Sequence, residues 1–475
     1  MKDRFHHYKT NKLSLYSLII VAVTSSLVLT FFATHLVNIT QKDLSFLPVS
    51  TIEIFTGVLL TLSCFFIVSL KSTILAFSFV IFMLPIFTRL FYNSSSILLK
   101  ESIVAAVLIL IVLTYLLKKK GKINLPRFNI TVIFWVLYCF WLIFDSLFSF
   151  DPQRSFLIAS AISMNVFLVC FVIYNEKYVL NLIKAVLWTI SISGTIYSLF
   201  DFFLILSRRV YIIFGHQFVP FTFTEGFIRG RSIFPNSNIF GSLLVFSIGS
   251  TVTLLFFNKN IKEKLILGIE FVIMIIALVF TLSRSSILGT VICITVIYWF
   301  ISKGSAVKHL RFIIVGILMA AAILEFFPNL SNAVLRLHRG LAGRQYLWAK
   351  AIELFKRFPI TGIGIGMWKQ ISKEQLPEHS SYIAYLVESG LPGLLLFISI
   401  VVSSILTAIK TLAKVKVTKQ SILLSGVSAI VIGSAVQQLF GKFSFGLGGP
   451  GFNAMYFLLF IFMIFRLSNK CYECD

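Results

Sequence analysis

Charge is what this chain has least of. Only 13% of its 475 residues are Asp, Glu, Lys or Arg, and the acids number 18, against about 25% charged residues in a soluble domain. So little charge cannot clothe a water-facing surface, and a soluble globular protein is excluded. Cysteine is scarce too. Cys64, Cys139, Cys170 and Cys293 lie in apolar runs as small hydrophobes, and Cys471 with Cys474 makes one CxxC at the C-terminus with no second pair or histidine beside it. Neither a disulfide framework nor a zinc or redox site is expected. No paired carboxylate of the Asp-x-Asp kind occurs in a candidate outer loop, so neither a metal-dependent transfer nor a cofactor is expected. Internal repeats and inverted symmetry, the marks of many transporters, are absent. The net charge of +24 has no basic soluble domain to carry it, which removes nucleic acid as a partner. It leaves the lipid bilayer and an anionic, lipid-linked substrate.

Apolar residues make up 58% of the chain. At about 20 residues per bilayer crossing, the runs predict an all-α, polytopic membrane protein with about fourteen transmembrane helices. They begin near Leu13, Val49, Ser72, Ser102, Ile130, Ser155, Val179, Ile239, Lys264, Ser285, Phe312, Leu391, Ser421 and Phe452. The first run follows Lys2, Arg4, Lys9 and Lys12 and exceeds a signal-peptide core, so it reads as an uncleaved span. An even number of spans puts both termini in the cytoplasm. Short Lys-rich turns such as 118–122, 259–264 and 410–419 then also fall inside, as positive-inside statistics require. Two longer outer segments hold basic residues: four between Ser207 and Ser237, and eight between Pro328 and Ser380. The second, a large extracytoplasmic loop, contains Leu347, Ala351, Leu354 and Phe358 at helical spacing. These predict an amphipathic helix lying on the membrane and ended by Pro359.

Arginine is the first chemical signal. Arg208, Arg209, Arg229 and Arg231 precede the eighth span, Arg284 sits in the minimal turn Thr281-Leu282-Ser283-Arg284-Ser285-Ser286, and Arg336, Arg339 and Arg344 open the long loop. One such arginine is as readily explained by snorkelling to headgroups as by an anion. Several on one face suit a diphosphate, because guanidinium binds phosphate bidentately and keeps its charge. Among seven histidines, His379 is placed best, where the cationic loop re-enters the membrane. General-base work on a hydroxyl and a helix-capping context are both open to it. Of the acids in apolar runs, Asp145, Asp201 and Glu325 lie near outer ends, within reach of headgroups or an arginine, and Glu270 lies inside its span without a sequence-local partner. Gly362-Ile363-Gly364-Ile365-Gly366 follows a helix instead of a strand, so a close-packed turn is favoured over a dinucleotide loop. Gly390-Leu391-Pro392-Gly393 breaks one helix and starts another, leaving Ser380 to Ser389 as a short re-entrant or tilted segment.

In this order the landmarks resemble the O-antigen ligase and polymerase superfamily. The matching stretches are Arg231-Ser232-Ile233-Phe234-Pro235-Asn236-Ser237-Asn238, Ser283-Arg284-Ser285, Gly343-Arg344 with Leu347-Trp348, Pro359-Ile360-Thr361-Gly362-Ile363-Gly364, and Glu378-His379-Ser380-Ser381-Tyr382 leading to Glu388-Ser389-Gly390-Leu391-Pro392-Gly393-Leu394. Family members commonly have His-Asn where this chain has His379-Ser380. The resemblance implies a core over 231–394 holding the loop 328–380, flanked by membrane helices over 1–230 and 395–475. It implies a GT-C-like, metal-independent glycosyltransferase of the plasma membrane that moves glycan from undecaprenyl diphosphate to a hydroxyl. His379 and Arg284 are the implied catalytic residues, and Arg231 and Arg344 would hold the diphosphate; Arg229, Arg336 and Arg339, from the same arginine clusters, are further candidates to bind it. A flippase and a chain-length regulator are implied partners. Polymerisation of repeat units into a capsule, exopolysaccharide, O-antigen or teichuronic acid polymer is the leading expectation, since the Lys-, Ile-, Phe- and Asn-rich composition hints at a Gram-positive source. Ligation to a final acceptor and flipping of the lipid-linked glycan are the alternatives.

Overall fold

The computed structural model describes residues 72–90, 109, 111–113, 116, 130–208, 211–213, 216–218, 221–224, 227–302, 344–374, 379–441 and 452–472. Their helices are α1 (Thr73–Leu90), α2 (Ile130–Ser146), α3 (Pro152–Asn175), α4 (Val179–Ser207), α5 (Ser237–Phe257), α6 (Ile261–Thr281), α7 (Arg284–Ile301), α8 (Arg344–Arg357), α9 (Trp368–Ser372), α10 (Ser381–Lys414), α11 (Lys419–Gln437) and α12 (Phe452–Tyr472). Eight helices among the described residues are long and apolar enough to cross a membrane, and α1 and α2 hold shorter apolar stretches. These ten coincide with ten expected spans, so the all-α polytopic architecture holds. The runs at Leu13, Val49 and Phe312, and most of the one at Ser102, lie outside the described residues. The sequence did not anticipate two small antiparallel hairpins between α4 and α5: β1 (Tyr211–Ile213) with β2 (His216–Phe218), and β3 (Thr222–Thr224) with β4 (Phe227–Arg229).

Helix α5 is the hub, packing on α4, α6, α7 and α11. Hydroxyls buried there return hydrogen bonds to their own helix, as from Thr253 Oγ1 to Gly249 O at 2.7 Å and from Ser434 Oγ to Ile430 O at 2.7 Å. That satisfies polar atoms without breaking the apolar exterior. Helices α7 and α11 approach most closely where glycine faces glycine. A Cβ on Gly289 would stand 2.8 Å from Gly433 O, and one on Gly433 2.5 Å from Gly289 O. Small residues permit such backbone approach in membrane bundles.

Helix α10 is two helices. Gly390 has φ 67° and ψ −175°, a conformation essentially restricted to glycine, and it separates 381–389 from 391–414. The Tyr385 and Phe397 rings stack with centroids 4.3 Å apart, although twelve residues of straight helix would separate them by about 18 Å. The first half therefore folds back along the second, as a re-entrant segment does. Several of the backbone groups it frees find protein partners: Ile363 N donates to Val387 O (2.9 Å), Gly364 N to Glu388 O (3.0 Å), and Leu391 N to Pro359 O (2.9 Å). Trp141 Nε1 donates to Ser389 O at 2.9 Å. The glycine run is thus the strand-like clamp on the helix break, the close-packed turn its composition suggested.

Helix α8 has the expected periodicity, but its apolar stripe lies on protein instead of lipid. Leu347 and Ala351 are buried with Ile363, Met367, Trp368 and Val387. The re-entrant half of α10 supplies the surface that the sequence pattern assigned to the bilayer.

Gly390→Ala is expected to lower stability by about 1–3 kcal/mol from backbone strain alone, with a further penalty because its Cβ would strike Ile360 O. Gly268→Ala meets nothing within 4 Å and is expected to leave stability unchanged or raise it by about 0.5–1 kcal/mol. Thermal denaturation of the detergent-purified variants checks both.

Candidate functional site

The segment before α5 is fastened from both sides. Asp201, fully buried in the last turns of α4, accepts Ser232 N at 2.6 Å, and Arg231 N also donates to it. Ser232 Oγ donates to Tyr197 O at 2.7 Å. On the other side Gly230 N donates to Phe280 O at 2.9 Å, while Arg229 reaches Thr281 O through Nε at 2.7 Å and Asn238 Oδ1 through Nη2 at 2.8 Å. Arg229, expected to bind substrate, thus joins β4, the start of α5 and the α6–α7 turn. Arg231 lies half-buried beside it, donating to Pro235 O at 3.3 Å, and burial pushes its guanidinium below its ordinary range.

The α6–α7 turn is as short as the sequence suggested. Leu282 is left-handed at φ 49°, Ser283 is the N-cap residue and Arg284 is the first residue of α7. Helix starts carry positive partial charge and ordinarily attract acids; an exposed arginine there concentrates positive potential. Arg344 opens the described part of α8. Burial, and then the charge of Arg284, push its guanidinium below its ordinary range, so the two arginines lie within electrostatic reach. Helix N-termini together with guanidinium form an anion site.

His379 immediately precedes the re-entrant half of α10 and is half-buried. The capping is done by its neighbour: Ser380 Oγ accepts Ile383 N at 3.5 Å, and His379 instead takes a left-handed backbone at φ 54°. Ser381 then docks on the end of α11, its N donating to Gln438 O (3.0 Å) and Gly441 O (3.2 Å) and its Oγ to Gly441 O (3.0 Å). The same end of α11 holds the Arg284 turn, because Gln437 Nε2 donates to Ser286 Oγ at 2.7 Å and Ser286 Oγ bonds Ser283 Oγ at 2.8 Å. Arg231, Arg284, Arg344 and His379 are therefore gathered at one end of the bundle by a continuous set of hydrogen bonds and charge contacts. The non-glycine residues with positive φ among the described residues are Arg208, Ser232, Leu282, Lys373 and His379. Three of them, Ser232, Leu282 and His379, are one of these groups or lie within two residues of one. Such conformations cluster at functional sites.

Arg336, Arg339, His338 and Glu325 lie outside the described residues. Of the other acids, Glu270 bonds Ser191 Oγ, which in turn bonds Thr251 Oγ1, each at 2.5 Å, and belongs to the α4–α5–α6 core instead of the arginine cluster. Asp145 is buried at the end of α2. Asp201 pairs with the backbone of the Arg231 segment, where the sequence suggested headgroups or an arginine. Glu388 went unremarked as an acid. It is fully buried, and its Oε2 accepts Gly366 N at 2.6 Å, pinning the glycine run. Its signal was available: a carboxylate in an otherwise apolar run, two residues before Gly390.

Residues 269–398 match the family described as O-antigen ligase; the match includes Arg284, Arg344 and His379 and leaves Arg229 and Arg231 outside. The exopolysaccharide production protein ExoQ of Rhizobium meliloti (strain 1021) is 29% identical over 106 residues, 19% of this chain and 24% of ExoQ. The alignment therefore spans about a quarter of that relative. The resemblance carried by the ordered motifs is borne out at the level of the O-antigen ligase and polymerase superfamily.

Asp201→Ala is expected to destabilise the protein by about 1–3 kcal/mol, because two backbone N–H groups lose a buried acceptor. Thermal denaturation in detergent measures it, and a loss below about 0.5 kcal/mol would deny Asp201 its role in holding the Arg231 segment.

Proposed function

Taking the chain as a multi-pass membrane protein that carries an O-antigen ligase segment, we propose that it polymerises undecaprenyl-diphosphate-linked repeat units on the outer face of the plasma membrane, with both termini in the cytoplasm. The observation that carries this proposal is the gathering of Arg231, Arg284, Arg344 and His379 at one end of the bundle. The name of ExoQ, an exopolysaccharide production protein, supports a polymer as product.

In the proposed reaction an imidazole nitrogen of His379 takes the proton of the acceptor hydroxyl. The oxygen attacks the anomeric carbon of the donor glycan, and the bond from that carbon to the diphosphate breaks. The bonding pair leaves with the diphosphate, so negative charge grows there as the new glycosidic bond forms. Arg284 faces that charge, with Arg231, Arg344, Arg336 and Arg339 holding the remaining oxygens. Fixed cations aimed at developing charge stabilise a transition state more than the ground state. Permanently charged guanidinium groups fill the role that a divalent ion takes elsewhere, so the transfer is proposed to be independent of metal. Arg229, spent on Thr281 O and Asn238, acts by holding the Arg284 turn in place.

His379→Ala is expected to lower the rate about 10²–10⁴-fold and Arg284→Ala about 10²–10³-fold. Arg284→Lys should stay well below wild type, because a bidentate site does not accept a point charge. Purified protein supplied with lipid-linked repeat units in the presence of EDTA checks all three on a gel. Ladders of normal length from both alanine variants would defeat the assignment, and a single transferred species in place of a ladder would make the protein a ligase. Cysteine labelling that put 344–374 in the cytoplasm would remove the reaction from the outer face.

A further inference from the structure

The polar face of α8 holds a feature that the diphosphate chemistry does not use. Tyr346, two residues beyond Arg344, is 61% exposed, yet its ring is fixed from two directions. Its Oη donates to Glu374 Oε1 at 3.1 Å. Lys350, one helical turn on, donates from Nζ to the same oxygen at 2.7 Å and stands 5.9 Å from the ring centroid. Glu374 is itself placed by the left-handed residue Lys373 and by Ser372 Oγ, which accepts Glu374 N at 3.1 Å. The Lys350 hydrogen bond also holds the Glu374 carboxyl below its ordinary range and lifts the Lys350 ammonium above its own, so both remain charged.

Both bonds fall on Oε1, which leaves Glu374 Oε2 as an open acceptor at the edge of an exposed aromatic face. An aromatic face takes the apolar C–H face of a pyranose, and a carboxylate takes the hydroxyls on its rim. Lys350 stands over the ring, and the two segments that carry Tyr346 and Glu374 also carry Arg344 and the exposed Lys369 and Lys373. Such a surface attracts negative charge, while the carboxylate at its centre disfavours a phosphate headgroup and favours a hydroxylated ligand. We propose that Tyr346, Lys350, Lys369, Lys373 and Glu374 form a sugar subsite for an acidic glycan, in which a uronic-acid type of pyranose stacks on Tyr346, gives a hydroxyl hydrogen bond to Glu374 Oε2 and turns its carboxylate to the lysines. The identification of this glycan as the repeat unit rests on the polymerase proposal; the subsite itself rests on the geometry of α8 and the 372–374 turn.

The test is titration of full-length protein in nanodiscs of zwitterionic lipid with trigalacturonic acid and with maltotriose, read by isothermal calorimetry or saturation-transfer NMR. The acidic trisaccharide is expected to bind about tenfold or more tightly than the neutral one, and Tyr346→Ala and Glu374→Gln each to weaken it about tenfold. Tyr346→Phe, which keeps the ring, should stay within about threefold of wild type. In the polymerase assay Tyr346→Ala should raise KM for lipid-linked repeat units with kcat little changed, since uniform binding is what it removes. Equal affinity for the two trisaccharides, unchanged affinity in Tyr346→Ala, or displacement of the trisaccharide by phosphatidylglycerol placed in the nanodisc would overturn the subsite. Because binding is read on free oligosaccharide, a protein that binds but forms no ladder overturns the polymerase proposal alone. A protein that forms ladders while Tyr346→Ala binds normally overturns this inference alone.

Discussion

A helix interrupted within a packed, water-poor bundle exposes amides and carbonyls, each of which costs free energy unless it finds a partner. In this protein that requirement falls on Gly390, and much of the described structure answers it. The glycine run supplies Ile363 N and Gly364 N to the carbonyls of 387 and 388, Trp141 covers the next one, and Pro359 O receives Leu391 N. The clamp has a second consequence. The glycine run joins α8, which carries Arg344, to the break in α10, whose first half follows His379. Closing the hydrogen bonds of the break therefore fixes the distance between a cation of one element and the imidazole of another. Glu388 tightens the same joint through Gly366 N, which explains why a carboxylate is tolerated in so apolar a place.

Positive charge is arranged against its usual preference. Cations stabilise helix C-termini and acids stabilise N-termini, yet Arg284 is the first residue of α7 and Arg344 opens the described part of α8, with Arg231 half-buried nearby. Burial costs the Arg231 and Arg344 guanidinium groups solvation, and the charge of Arg284 adds to that cost at Arg344. Natural proteins retain such an arrangement where a bound anion offsets it. A diphosphate, with several oxygens and a charge that increases as it departs, fits a convergence of planar, permanently charged forks better than a solvated lysine cluster does.

What could be read from the sequence was what lies within one turn of helix or one loop. The ten spans followed from apolar runs, the minimal turn at Arg284 from a lone cation between two of them, the α8 stripe from its period, and the helix break from Gly390 followed by Pro392. What could not be read was every pairing between distant segments. Asp201 is separated from Ser232 by 31 residues and Gln437 from Ser286 by 151, and no local pattern marks an aspartate as a backbone acceptor or a glutamine as a bridge. The partner of the α8 stripe was misassigned for the same reason. Its amphipathicity specified an apolar surface, and only tertiary packing decides whether that surface is lipid or the folded-back start of α10.

The same division between local and distant contacts applies to the arginines at this end of the bundle. Arg229 lies two residues before Arg231 and carries the same charge, and its Nε and Nη2 bond Thr281 O and Asn238. A guanidinium engaged in this way stiffens the frame around the Arg284 turn. Arg284 is exposed at a helix start that is itself anchored through Ser283, Ser286 and Gln437. Preorganised charge is effective because little reorganisation remains when the reaction occurs. In the proposed reaction, buried residues such as Ser283, Ser286, Gln437 and Asp201 supply that preorganisation to the arginine and histidine they hold.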